Sequence, residues 1–322
     1  MRICRYQYED EVSVGFYSES DVIPLGSAFA AYTETTRENL LLSDSINLLD
    51  YLPPDGTSYE AARQLADWLT QSGPMLPQSR RIPIDSVELL VPFPRPNKLF
   101  LLAGNYAKHI EEGGGRAAER AETFPYVFMK PPTTTLTHPG KPVAIPRISP
   151  GAIDWELELA VVMGRRCKAV AEAEALDYVA GYTVINDISN RKFRPNPSRK
   201  TREKDAFFDW LHGKWHDSFC PCGPCVVTPD TVRDPQNLKM QLTVNGAVKQ
   251  DSSTANMIFP VAAVIEFISS FVTLEPGDII STGTPEGVGH AKGTFLKPGD
   301  RIEASIEGIG RLISPVVDEA AG

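Results

Sequence analysis

Two acidic residues inside an apolar run are the first candidates for chemistry. In DWELELAVVM, residues 154–163, Glu156 and Glu158 interrupt what otherwise reads as a buried strand. Side chains in a strand alternate faces, so Trp155, Leu157, Leu159 and Val161 share one side while Glu156, Glu158 and Ala160 share the other. Carboxylates at i and i+2 have α-carbons roughly 7 Å apart, close enough to converge on one ion. Buried without a partner, either would cost several kcal/mol or take up a proton, and a bound divalent cation resolves that conflict. Hard oxygen donors select Mg2+, Ca2+ or Mn2+ over softer metals. Further on, GYTVINDISNR (residues 181–191) offers a second apolar strand that ends at Asp187. Three carboxylates from two neighbouring strands leave part of an Mg2+ octahedron open for water and substrate.

The elements that must position these residues are mainly strands. From Asn97 onward, short strand-like runs are punctuated by Gly and Pro: Leu99 to Ala103, Tyr126 to Lys130, Leu157 to Met163, Tyr182 to Asp187, Leu238 to Val244, Ile279 to Thr282 and Arg301 to Ile306. That spacing predicts a folded-over, antiparallel or mixed sheet. Helices are expected over Ala173 to Val179 and Pro260 to Val272, and Asn245-Gly246 marks a hairpin. Residues 1–95 alternate strand pieces (Val12 to Tyr17, Val22 to Leu25) with one amphipathic helix, Ser58 to Ser72, ended by Gly73-Pro74. The proline-rich VPFPRPNKLF then places a domain boundary near Arg95, giving an N-terminal domain (1–95) and a catalytic domain (96–322).

Composition narrows the function classes. The 322 residues are 42% hydrophobic with a net charge of −9, which argues against nucleic acid or anionic lipid and for a small-molecule partner. The N-terminus lacks an apolar signal core, and no run of about 18 apolar residues occurs, so the expected location is cytoplasmic. An odd number of cysteines in a chain of this size fits free thiols better than a disulfide scaffold.

FPYVFMKPPTT, DWELELAVVMG, GYTVINDISNR, GKWHDSFCPCGP and ISTGTPEGVG, in that order and spacing, resemble the fumarylacetoacetate hydrolase family over residues from about 97 to 315. The resemblance implies an α+β, mainly β fold: a mixed β-sandwich roll with a smaller N-terminal α+β domain, assembled as a homodimer. It implies that Glu156, Glu158 and Asp187 bind the metal, with Mg2+ usual and Ca2+ or Mn2+ the alternatives. It implies that Lys214 sits beside the metal and contacts substrate oxygens, and that Lys130, Thr284 and Tyr106 belong to the substrate pocket. GNYAKHIEEGGG (residues 104–115) matches the segment carrying the family's His-x-x-Glu pair. On one helical turn His109 and Glu112 stand i and i+3 and touch, whereas Glu111 at i+2 faces elsewhere. A carboxylate on one imidazole nitrogen fixes the tautomer and raises basicity at the other, as activation of a water requires. Gly113 to Gly115 then provide a hinge for a lid.

The expected activity is metal-dependent hydrolysis of a carbon–carbon bond in acylpyruvate-like or 2,4-dioxo acids. A decarboxylase or isomerase of 2-oxo dicarboxylic acids, of the oxaloacetate or hydroxymuconate type, is the alternative on the same scaffold. An alternative of another class is a redox or zinc protein built on Cys220, Cys222 and Cys225. It lacks a second Cys-x-x-Cys, and only His212 and His216 stand near enough in sequence to complete a zinc site. RKFRPNPSRKTREK (residues 191–204) reads as a solvated basic loop or a cationic rim for anionic substrates. STGTPEGVGH lacks the Gly-Lys-Ser/Thr ending of a nucleotide phosphate loop.

Overall fold

The computed structural model describes residues 1–72 and 76–320. Its N-terminal strands are β1 (Arg2–Tyr8), β2 (Glu11–Tyr17) and β3 (Asp21–Pro24), followed by helices α1 (Leu25–Thr36) and α2 (Tyr59–Ser72). The helix stop expected at Gly73-Pro74 lies outside the described residues. Helix α1 has no counterpart in the sequence reading: its Ala- and Thr-rich face presents no wide apolar stripe to periodicity. The rest of the chain supplies β4 (Leu99–Ala103), α3 (Ala107–Glu112), β5 (Tyr126–Met129), β6 (Leu157–Met163), β7 (Val179–Asn186), α4 (Asp205–His212) and β8 (Cys220–Val227). Then come β9 (Lys239–Val244), β10 (Ala247–Ser253), α5 (Val261–Phe271), β11 (Ile279–Ser281), α6 (Gly289–Lys292), β12 (Arg301–Ile306) and β13 (Gly310–Asp318). The helix expected over Ala173 to Val179 is a 3-10 helix, Glu172–Tyr178.

The larger sheet runs β3-β2-β1-β8-β7-β6-β11-β4-β5, and the smaller runs β10-β9-β12-β13 and on to residues 143–145. Both are mixed: β11 pairs parallel to β4, and β13 parallel to residues 143–145, among antiparallel neighbours. Strand β1 pairs with β8, so residues of the N-terminal segment and of the remainder share one sheet. The β9–β10 hairpin turns at Asn245 and Gly246, both at positive φ, as a primed hairpin turn needs.

Strand β6 is covered on both sides. Leu157, Leu159 and Val161 join a cluster with Leu242, Ile302 and Leu312 of the smaller sheet. Ala160 and Val162 pack in a second cluster with Leu48, Leu52 and Leu65 of the N-terminal segment. The alternation read from the sequence therefore holds, with the acids on the side that the N-terminal helices and α4 cover. No described helix is long and apolar enough to cross a membrane.

Candidate metal and acid–base site

Register brings the three carboxylates together. Strands β6 and β7 run antiparallel with Leu157 opposite Asn186. One step beyond, the Asp187 amide donates to the Glu156 carbonyl at 2.8 Å, and the Glu156 amide donates to Asn186 Oδ1 at 2.9 Å. The start of one strand thus lies against the end of the other, and one oxygen each from Glu156, Glu158 and Asp187 falls within 4.8 Å of the others. All three residues are buried.

The cations around them do not match the acids one for one. Lys214 Nζ lies 2.9 Å from Glu156 Oε1 and 2.5 Å from Asp187 Oδ2. Lys130, fully buried, pairs with Asp187 Oδ1 and donates to the carbonyls of Ile188 (2.9 Å) and Phe219 (2.6 Å). Arg191 reaches Glu156 Oε1 with Nη2 at 2.7 Å and Asp154 Oδ2 with Nε at 2.9 Å. Among the described residues Glu158 has no cationic partner. Its Oε2 accepts from Ser281 Oγ at 2.6 Å and the Gly283 amide at 2.9 Å, and its Oε1 has no partner among them. Burial, with Asp187 and Glu156 nearby, pushes the Glu158 carboxyl well above the usual glutamate range. Burial also works to raise Glu156, but Arg191 and Lys214 outweigh it and hold that group low.

Four acids, counting Asp154, thus face three cations, and the unmatched charge sits on the carboxylate with a free oxygen. A divalent cation fits this set: Glu156, Glu158 and Asp187 would hold it, and an all-oxygen donor set suits Mg2+, Mn2+ or Ca2+. When bound, such an ion supplies Lewis-acid polarisation of a substrate oxygen.

The histidine–glutamate pair forms as its spacing requires. On α3, His109 Nδ1 lies 3.0 Å from Glu112 Oε1. Glu112 also accepts from the Gly287 amide at 2.8 and 3.1 Å, which ties α3 to the loop between β11 and α6. Burial works to raise the Glu112 pKa; the hydrogen bonds from His109 and Gly287 outweigh it and leave the carboxyl below its ordinary value. An ionised Glu112 only accepts, so in the neutral imidazole Nδ1 carries the hydrogen and Nε2 keeps the lone pair for chemistry. A cavity of about 240 Å³ opens here, lined by His109, Ile110, Glu112, Arg191, Val288 and His290 among others.

The remaining candidates are held by hydrogen bonds within the fold. Thr284 donates its hydroxyl to the Leu157 carbonyl at 3.0 Å and accepts from Gln250 Nε2 at 2.9 Å. Tyr106 is fully buried, with its hydroxyl 3.4 Å from Met240 Sδ, and it is not among the residues lining the cavity. The basic loop divides: Arg191 turns inward to the acids, while Arg199 binds Asp205 and Asp209.

Two residues of the site were missed. Asp154 stands two before Glu156 in the same period-two series, a signal present in the sequence. Arg191 was grouped with its basic neighbours, although it closes the ISNR segment. The cysteines do not assemble: all five are free and buried. Burial pushes the Cys220 thiol up to about 12, and among the described residues no thiol joins a group able to hold a metal.

Residues 98–317 match the family described as fumarylacetoacetate (FAA) hydrolase C-terminal. The mitochondrial oxaloacetate tautomerase Fahd2a of Rattus norvegicus is 36% identical over 272 residues, 84% of this chain and 79% of that protein. Among solved structures, maleylpyruvate hydrolase from Sphingobium sp. SYK-6, in complex with manganese(II) ion and pyruvate, aligns at a TM-score of 0.70 and 28% identity, covering 99% of this chain and 100% of that one. 2-Hydroxyhepta-2,4-diene-1,7-dioate isomerase from Mycobacterium marinum aligns at a TM-score of 0.68 and 30% identity, covering all of both chains. With strands, acids and dyad in the expected order and most of its length matched, this chain belongs to the fumarylacetoacetate hydrolase family.

Proposed function

We propose that this chain moves a proton at the carbon beside the 2-oxo group of a small 2-oxo dicarboxylic acid, with keto–enol tautomerisation of oxaloacetate as the reaction. The observation that carries this reading is the His109–Glu112–Gly287 arrangement beside the three carboxylates: a base of fixed tautomer facing a small cavity. His109 Nε2 takes the proton from C3; the C–H electron pair becomes the C2=C3 bond, and the 2-oxygen takes a proton from solvent. In the reverse direction the imidazolium returns the proton to C3. Glu112 stabilises the imidazolium while Gly287 keeps Glu112 in place. Arg191 and Lys214 hold Glu156 ionised, and Lys214 and Lys130 pair with Asp187, leaving the acids ready for Mg2+, with Mn2+ or Ca2+ as substitutes. The rat tautomerase, similar over most of the chain, supports this substrate class.

The hydrolase reading keeps a specific support of its own, the likeness to maleylpyruvate hydrolase. There His109 would activate water, whose oxygen adds to the acyl carbon as the carbon–carbon bond breaks to an acid and pyruvate. The test is to incubate the purified protein with Mg2+ and either oxaloacetate or a simple acylpyruvate. Accelerated loss of the oxaloacetate enol absorbance, abolished in His109→Ala, is expected; acylpyruvate cleavage without enol loss replaces the first reading by the second.

We further read the protein as cytoplasmic and homodimeric, with no nucleic-acid or membrane partner. The exposed aromatic face of Phe124, Tyr126, Phe207 and Phe271 supports the dimer.

A further inference from the structure

The cavity beside His109 has a second histidine in its wall. His290, on α6, lines it together with His109, Arg191 and Glu112. The polar groups around it differ in what they already hold. Glu112 is engaged by His109 and Gly287, and Arg191 by Asp154 and Glu156. The His290 ring has no partner among the described residues.

Its position is nevertheless fixed through the backbone. Asp154 accepts from the Gly289 amide at 2.6 Å and the His290 amide at 3.0 Å, and the same carboxylate binds Arg191, which binds Glu156. A β-carbon at Gly289 would stand 1.9 Å from the Thr294 carbonyl oxygen and 2.8 Å from Asp154 Oδ1, so the backbone there is closely packed. The chain Glu156–Arg191–Asp154 therefore fixes where the His290 backbone stands relative to the three carboxylates. The cavity volume of about 240 Å³ equals roughly eight waters at ~30 Å³ each, room for a short acid and little more.

The geometry points to His290 as the residue that receives the distal carboxylate of the substrate, selecting 2-oxo dicarboxylic over 2-oxo monocarboxylic acids. This rests on the proposed reading of the site. A ring N–H donates to a carboxylate oxygen whether or not the ring is charged. Arg191, paired with Glu156, joins the acids to the cavity wall that carries His290; with the 2-oxo end at an ion that Glu156, Glu158 and Asp187 would hold and C3 under His109, the far carboxylate would enter that cavity.

The test measures C3 hydrogen–deuterium exchange by NMR for oxaloacetate and for 2-oxobutanoate, which has a methyl in place of the distal carboxylate. Binding of 3,3-difluoro-oxaloacetate and of oxalate is measured by calorimetry, all with Mg2+. His290→Leu should raise KM for oxaloacetate about tenfold with kcat within about twofold, and weaken the difluoro analogue about tenfold, as loss of one charge-assisted hydrogen bond implies. Oxalate binding and 2-oxobutanoate exchange should stay at wild-type levels, and His290→Gln should restore part of the KM. Equal losses on both acids, weaker oxalate binding, or an unchanged oxaloacetate KM overturns the assignment of His290 alone. Failure of the wild type to exchange either acid overturns the reading of the site and this assignment with it.

Discussion

Replacing Glu158 by Gln should uncouple metal binding from folding without harming the fold. Glu158 is the acid with no cation of its own, and its Oε2 is held by Ser281 at 2.6 Å and Gly283 at 2.9 Å. A glutamine oxygen accepts both bonds, so the variant keeps its local contacts and removes the one acid whose ionised form has no compensating cation. In chelator it should unfold at or above the wild-type temperature. With Mg2+ the order reverses. An ion at a hundred times its Kd stabilises the wild type by about 2.7 kcal/mol. In chains of 150–250 residues a kilocalorie moves Tm by about 2–4 °C, and by less in longer ones, so a rise of roughly 5 °C is expected. Disturbing partners of metal ligands already weakens affinity by about 10–100-fold, and losing a charged ligand should reach at least the upper figure. At the same Mg2+ concentration the variant then gains about RT ln 2, or ~0.4 kcal/mol, a shift of under about 1 °C. Thermal unfolding followed by circular dichroism, with EDTA and with Mg2+, reads all four values. A variant that melts well below wild type in EDTA yet shows the full Mg2+ shift would refute the charge-matching argument and make Glu158 a purely structural residue.

Two further perturbations test the dyad and the join to the N-terminal segment. Gly287 has φ +100°, and a β-carbon there would lie 2.1 Å from the Lys249 carbonyl oxygen, so Gly287→Ala must move the amide that holds Glu112. We expect kcat to fall on the order of 10²-fold, as for an ångström of misplacement, with the Mg2+-induced Tm shift retained; an unchanged kcat removes Gly287 from the dyad's support. His138 accepts from the Val91 amide at 2.9 Å through Nδ1, and burial, against the pull of Glu88, holds its pKa below the ordinary 6.5. The folded state therefore binds fewer protons than the unfolded state just below pH 6.5, and stability rises with pH across that window. Acidifying from about pH 7.5 to 5.5 should lower Tm more in wild type than in His138→Gln, whose amide oxygen accepts without titrating; parallel slopes would count against it.

Much of the site was legible because its signals were local. Period-two alternation put Glu156 and Glu158 on one face, and the i, i+3 spacing of His109 and Glu112 gave the dyad. The partners that make those groups usable were not legible, because contact order hides them. Ser281 and Gly283 reach Glu158 from a segment far along the chain, and nothing in their spacing from it marks the contact. Asp154 was readable in principle as the first member of the Asp154–Glu156–Glu158 series, while Arg191 was obscured by the charges that follow it. For Tyr106 and Thr284 motif position suggested a pocket, and in this structure the Thr284 hydroxyl is held by Leu157 and Gln250 while the Tyr106 hydroxyl lies against Met240.

The same alternation that exposes the acids to one another also enforces their placement. Trp155, Leu157, Leu159 and Val161 are buried against the smaller sheet and its surroundings. Each contributes about 2 kcal/mol by leaving water, roughly 8 kcal/mol together. A one-residue slip of β6 against β7 would turn those four side chains toward the acid face and drive Glu156 and Glu158 into the apolar cluster. The penalty is the loss of that burial plus the cost of two carboxylates without Arg191, Lys214, Ser281 and Gly283. Register is thus fixed by apolar residues that never meet an ion or a substrate, and Asp187 reaches Glu156 because Leu157 must lie opposite Asn186. Substitutions that shave volume from Leu157 or Leu159 should therefore weaken the site through register before they weaken it through chemistry.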